Sequence, residues 1–205
     1  KTDGTEAGTV MVKDINPGAS SSNISGLPVI GNLMYFRALL DGSGTEWWTS
    51  DGTSAGTQML KDIIPGAGSG APIGAAMSYN GKVYFIAETV ATGEELWVTD
   101  GTTANTQILL DIRPGVQPGD VSGLTEYKGK LYFRANDGTN GSELWMTDGT
   151  GAGTTMVKDI LAGANSSSPA EFIAYKNFLY FTAEQSAGNR QLYKADGTTA
   201  GTVPV

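Results

Sequence analysis

Five aspartates, Asp3, Asp51, Asp100, Asp148 and Asp196, each open an Asp-Gly-Thr triplet, and the triplets recur every 48 or 49 residues. Carboxylates repeated in this way could ligate a hard cation or serve as the acid pair of a glycosidase. Catalysis, however, asks for one convergent site, and these acids stand at the same place in every repeat. Asp51, Asp100, Asp148 and Asp196 are therefore read as turn residues, each carboxylate accepting backbone N–H groups of its own loop. The same reading covers Asp14, Asp62, Asp111 and Asp159, which precede a second set of turns.

A second recurring group is aromatic. Trp48, Trp97, Trp145 and Tyr193 occur once per repeat. Aromatic faces can stack on sugar rings, and several weak sites on one rigid body would act together by avidity. These four are the candidate ligand-binding residues. One aromatic at a fixed strand position is also what packing between repeats requires, because a buried ring removes a large area from water. Packing is the preferred reading. If sugars bind elsewhere, the variable loops 19–26, 67–74, 116–123 and 164–169 are the places for them.

A third feature is the loop Asp137-Gly138-Thr139-Asn140-Gly141-Ser142-Glu143, rich in oxygen ligands suited to calcium. It lacks the alternating acid spacing of a dedicated calcium loop, and its counterparts in other repeats differ, so a hairpin turn is expected. No cofactor is assigned beyond this possible calcium, and no metal ligand is named. The 205 residues include no His and no Cys. That removes the commonest general base, thiolate zinc sites, disulfides and any Ser-His-Asp or Cys-His dyad. Non-repeated acids such as Asp120, Glu126, Glu171 and Glu184 follow no motif linking them. No catalytic residue is assigned, and the chain is expected not to be an enzyme.

The elements that must position these groups are strands. Ahead of each Asp-Gly-Thr stand Glu46-Trp47-Trp48, Glu95-Leu96-Trp97, Glu143-Leu144-Trp145 and Gln191-Leu192-Tyr193; after it come a Thr, then Lys13-Asp14-Ile15, Lys61-Asp62-Ile63, Leu110-Asp111-Ile112 and Lys158-Asp159-Ile160. Pro17-Gly18, Pro65-Gly66 and Pro114-Gly115 close the unit, with Ala162-Gly163 in the fourth, and suit type II turns. A period near 48 residues belongs to stacked architectures such as propeller blades. In the third unit the expected strands are 124–127, 130–135, 143–147 and 154–160. Second strands such as Leu131-Tyr132-Phe133 lose period-two alternation, so both of their faces must be covered. Residues Gly8, Gly56, Asn105, Gly153 and Gly201 share one turn position, where a positive φ is expected.

The expected fold is all-β: a single β-propeller domain over residues 1–205, with four blades of four antiparallel strands. Its units run at about 16–63, 64–112, 113–160 and 161–205 plus 1–15. Residues 1–12 match 194–205 at nine of twelve positions, and Pro204 stands where the first copy has Met11. Proline cannot donate to a ladder. The N-terminal strand, 9–15, is therefore expected to pair in the last blade and close the ring. Donation of that strand to another copy, or a cut through a longer array, are the alternatives.

The units Glu95 to Thr102 and Glu143 to Thr150, followed by Thr and an Asp-Ile pair, resemble the bacterial ELWxxDGT repeat family. The first unit departs from its pattern with Trp47, and the last with Gln191 and Tyr193. Membership would imply a secreted or cell-surface setting and tandem repetition, but no established activity. A formal net charge of -8 opposes binding to nucleic acid. No apolar run is long enough to span a bilayer. The expected function is a structural or adhesive extracellular module of a bacterial protein, with self-association through its terminal strands as the partner expectation. A carbohydrate-binding propeller is the second reading.

Overall fold

A computed structural model describes all residues except Leu27, Pro72, Ile73 and Ala75. Its strands fall into four antiparallel sheets of four, each taken in chain order. The first holds β1 (Val29–Ile30), β2 (Leu33–Leu40), β3 (Gly44–Ser50) and β4 (Gln58–Lys61); the second holds β5 (Met77–Tyr79), β6 (Lys82–Thr89), β7 (Gly93–Thr99) and β8 (Gln107–Leu110). The third holds β9 (Ser122–Tyr127), β10 (Lys130–Asn136), β11 (Ser142–Thr147) and β12 (Thr155–Lys158). The fourth holds β13 (Ala170–Tyr175), β14 (Phe178–Ser186), β15 (Asn189–Ala195) and β16 (Val203–Pro204). This is the propeller-like succession of meandering sheets that the repeat implies.

The central pair of each sheet carries the longest ladder. Phe85 stands opposite Trp97, Phe133 opposite Trp145 and Phe181 opposite Tyr193, so each recurring aromatic shares a face with a phenylalanine. These strands are aromatic and β-branched and are covered on both faces, which accounts for their unbroken apolar runs. Third and fourth strands slip register at the motif aromatic, between Trp47 and Trp48, Leu96 and Trp97, and Leu144 and Trp145. A bulge recurring at one place re-aims the outer strand the same way in each unit.

Two expectations about the ends and turns are corrected. Residues 1–15 form no strand among the described residues; the fourth strand of the last sheet is the chain's own Val203–Pro204, with Pro204 opposite Tyr193. The short loop from β15 brings β16 back at small entropic cost, and an outer edge strand tolerates a proline whose missing N–H faces away from the ladder. Positive φ falls not on Gly56 and its equivalents but on the triplet glycines, Gly52 at 84° and Gly101 at 95° among them. Gly56 is glycine for space: a Cβ there would lie 2.1 Å from an Asp51 carboxylate oxygen. In the second unit Asn105 takes the place, and its amide nitrogen donates to Asp100 Oδ2 at 2.6 Å.

The Pro-Gly turns behave as expected, with φ of 121° at Gly18, 93° at Gly66 and 104° at Gly115.

Candidate functional site

The repeated residues converge on the seams between sheets. Ile63 from the end of the first unit packs with Phe85 and Trp97 of the second, alongside Tyr35, Trp47 and Leu60. Ile112 meets Phe133 and Trp145 in the next seam, with Tyr84 and Leu96. In the last, Ile160 lies against Phe181 and Tyr193, with Tyr127, Tyr132 and Leu144. Trp48 belongs to a smaller group with Phe36 and Ala38, and Ile15 of the N-terminal segment completes it. All four candidate ligand-binding aromatics are buried, Trp97, Trp145 and Tyr193 in these seams and Trp48 beneath Ile15. Among the described residues Trp48, Trp97 and Trp145 find no indole hydrogen-bond partner, whereas Trp47 Nε1 donates to the Ile86 carbonyl at 3.1 Å.

Each seam is latched by polar groups. Lys61 Nζ donates to the Thr106 carbonyl at 2.7 Å and lies 5.8 Å from the Trp97 ring centre. Lys158 repeats the bond to Thr202 at 2.6 Å, and Lys13 repeats it to Thr57 at 2.6 Å. The second unit has Leu110 at this position, and there the Tyr79 hydroxyl donates to the Gly129 carbonyl at 2.5 Å. Tyr127 donates likewise to Asn177. Each seam therefore uses the lysine, the tyrosine or both.

The least anticipated groups are the glutamates of the Glu-Leu-Trp motif. Glu46, Glu95 and Glu143 are completely buried. Glu46 Oε1 accepts from Gly70 N at 2.7 Å and Oε2 from Ile63 N at 3.3 Å. Glu95 accepts from the Ile112 and Arg113 amides at 3.1 and 3.0 Å, and Glu143 from Ile160 and Ser167 at 2.9 Å each. Each carboxylate thus clamps the connector leading to the next sheet. That connector is stitched on both sides: Gly119 N donates to the Glu94 carbonyl, and Asn136 N donates to the Gly119 carbonyl. Burial pushes Glu46 and Glu95 up to about 7, against the lowering effect of the amide donors. Burial also raises Glu143, although the Ser167 hydroxyl donates to it at 2.6 Å. The motif located these residues in the sequence; a charged side chain fixed inside an apolar strand signals that it has buried partners, but those partners stand 17 and 24 residues away and leave no local pattern.

The triplet aspartates do hold turns. Asp51 Oδ1 accepts from Thr53 N at 2.9 Å and from Thr53 Oγ1 at 2.7 Å, and Asp3, Asp100, Asp148 and Asp196 repeat both bonds. The threonine hydroxyl then accepts from Gly56 N. These bonds, the side-chain one first, draw the Asp51, Asp100, Asp148 and Asp196 carboxyls below their usual range. Asp137 is held in the same manner by its own loop, accepting from the Thr139 and Asn140 amides at 2.8 Å and from the Asn140 side chain. These three N–H donors hold the Asp137 carboxylate as a turn residue. Among the described residues no cluster of three or more acids is placed for a metal.

The non-repeated acids are not brought together. Asp120 pairs with Arg134 at 2.8 Å and accepts from Ser142 Oγ, Glu171 accepts from Thr182 Oγ1, and Glu184 lies 4.0 Å from Arg190. Pro72 and Ile73 of the variable loop 67–74 lie outside the described residues.

No protein-family model and no curated protein matches the chain. Solved structures do. The computationally designed Ika4 protein is 18% identical with a TM-score of 0.46, over 90% of this chain and 97% of that one. Puromycin hydrolase, as its S511A mutant complexed with PGG, is 17% identical with a TM-score of 0.53, over 85% of this chain. The Bacteroides ovatus xyloglucan PUL GH43B is 14% identical with a TM-score of 0.43, over 90% of this chain. The chain spans only 28% and 40% of the length of these last two proteins. At 17% identity the likeness to puromycin hydrolase is one of fold alone.

Proposed function

We propose that this chain is a non-catalytic structural or adhesive module of a secreted or surface-exposed bacterial protein, a rigid array of sheets that displays its loops. The observation that carries this reading is that the repeated motif residues are spent on joining one unit to the next. The aromatics fill the seams, the lysines and tyrosines latch them, and the glutamates clamp the connectors. The resemblance to the ELWxxDGT repeats supports the extracellular setting.

The test is a glycan-array screen together with titration of intrinsic tryptophan fluorescence against bacterial and plant polysaccharides. Seam tryptophans shielded from solvent should give no saturable change, and the array should give no hit. A saturable quench that disappears in Trp97→Phe would overturn the structural reading in favour of carbohydrate binding.

A further inference from the structure

The two end faces of the array are unlike the faces inside it, and they are complementary. At the internal seams, Leu144 is 0% and Tyr127 5% exposed; their counterparts in the last sheet, Leu192 and Tyr175, are 48% and 56% exposed. Tyr180 corresponds to Tyr35, Tyr84 and Tyr132. Each of those three reaches over a triplet glycine of the following unit: a Cβ on Gly101, Gly149 or Gly197 would lie 3.1, 2.5 or 2.8 Å from the tyrosine oxygen. Gly52 has the same positive φ, and a Cβ there would meet nothing within 4 Å.

The back of the first sheet is prepared for such a neighbour. It contains a cavity of about 340 Å³ lined by Met11, Val12, Ile15, Ile24, Met34 and Phe36. Met34 and Phe36 correspond to Leu131 and Phe133, which at an internal seam are fully buried beneath the preceding sheet. The connector ahead of the first sheet is also in its repeat position, since Leu39 N donates to the Ser22 carbonyl as Glu88 N does to Gly70. Lys13 already makes the latch that Lys61 and Lys158 make elsewhere. What this seat lacks is a third-strand leucine and a second-strand tyrosine; the fourth sheet offers both on its outer face, Leu192 exposed and Tyr180 half-buried beside Tyr175 and Phe178.

We propose that the fourth sheet docks on the back of the first sheet of a second copy of this chain, head to tail, with Leu192 and Tyr180 entering the cavity and Tyr180 covering Gly52. The proposal rests on the structural-module reading and names its partner. A second copy is favoured over the same chain because, among the described residues, no hydrogen bond joins the last sheet to the first or to residues 1–25, while every adjacent pair of sheets is joined by at least one. A contact between different patches of identical subunits propagates unless its rotation closes.

Two substitutions at half-exposed positions separate the faces: Leu192→Glu spoils the fourth sheet's face, and Ile24→Glu, at a residue 51% exposed, spoils the seat. The measurement is sedimentation velocity from about 5 to about 500 µM, where modest interfaces associate. The wild-type mass should rise at least twofold across that range. Each variant alone should remain a monomer, and their equimolar mixture should give a one-to-one dimer and nothing longer, because only one good face of each kind remains. A wild-type chain that stays monomeric at the highest concentration overturns the proposal without variants. So does a mixture that fails to dimerise, which is the result expected if the sheet folds back on its own chain. Neither outcome touches the glycan test, so failure here and failure of the module reading are distinguishable.

Discussion

At the residue scale, one side chain's worth of space decides the identity of a turn position. Gly56 sits against the Asp51 carboxylate, and a methyl group there must push the carboxylate off Thr53. Gly56→Ala should therefore lower the urea midpoint, because the turn loses a charged acceptor. Gly56→Asn should cost less than half as much, because the second unit shows that asparagine reorients and donates to the aspartate. Equal losses in the two variants would disprove the steric account. Tryptophan substitutions read the seams in the same way. Trp97→Ala empties a position surrounded by large apolar side chains from two sheets and should cost about 3–5 kcal/mol. Trp48→Ala should cost clearly less, since among the described residues Ile15 and the Lys13 side chain are what cover it from outside its own sheet. If both cost the same, the first sheet is covered to the same extent as the second, contrary to the end-face argument.

At the element scale, the connectors depend on an acid held where acids ionise reluctantly. Glu46 and Glu95 titrate near 7 in the folded chain, against 4.5 for an ordinary glutamate. A carboxyl whose folded value is raised gives its full stabilisation below the unfolded value and loses it as pH climbs through the folded one. The unfolding free energy from urea titration should thus be highest near pH 4.5 and fall between pH 5 and pH 8, by on the order of 3 kcal/mol per glutamate. Glu95→Gln should remove its own share of that slope while leaving Glu46 and Glu143 to supply the rest. A midpoint flat over this interval would mean that the amide donors fully offset burial. Legibility in the sequence also divides by element. The strands of the third unit lie within about two residues of their expected bounds, because aromatic runs and Gly-rich turns are local signals. The glutamate clamp was not legible in its role, since its partners stand 17 and 24 residues away. The closing strand was misplaced for a different reason. Residues 1–12 and 194–205 are near copies competing for one edge, and the tether from β15 decided against the proline argument.

At the scale of the whole molecule, a chain of nearest-neighbour sheets distributes its stability unevenly, because inner units are held on two sides and end units on one. The second and third sheets each sit between two complete seams and two glutamate clamps. The fourth has one seam, an uncovered outer face, and Gln191 where its neighbours carry the buried glutamate. The first is intermediate, with residues 1–25 covering part of its back. Amide hydrogen exchange should follow that order. Central strands β6 and β10 should exchange only by global opening, β2 should be somewhat less protected, and β14 least of all. At low concentration the gradient reports the array alone. Raising the concentration should then slow exchange selectively in β2 and β14, the strands flanking the two end faces, and leave β6 and β10 unchanged. Uniform protection at low concentration would show that the last sheet is covered within the chain, and would return the architecture to a closed ring.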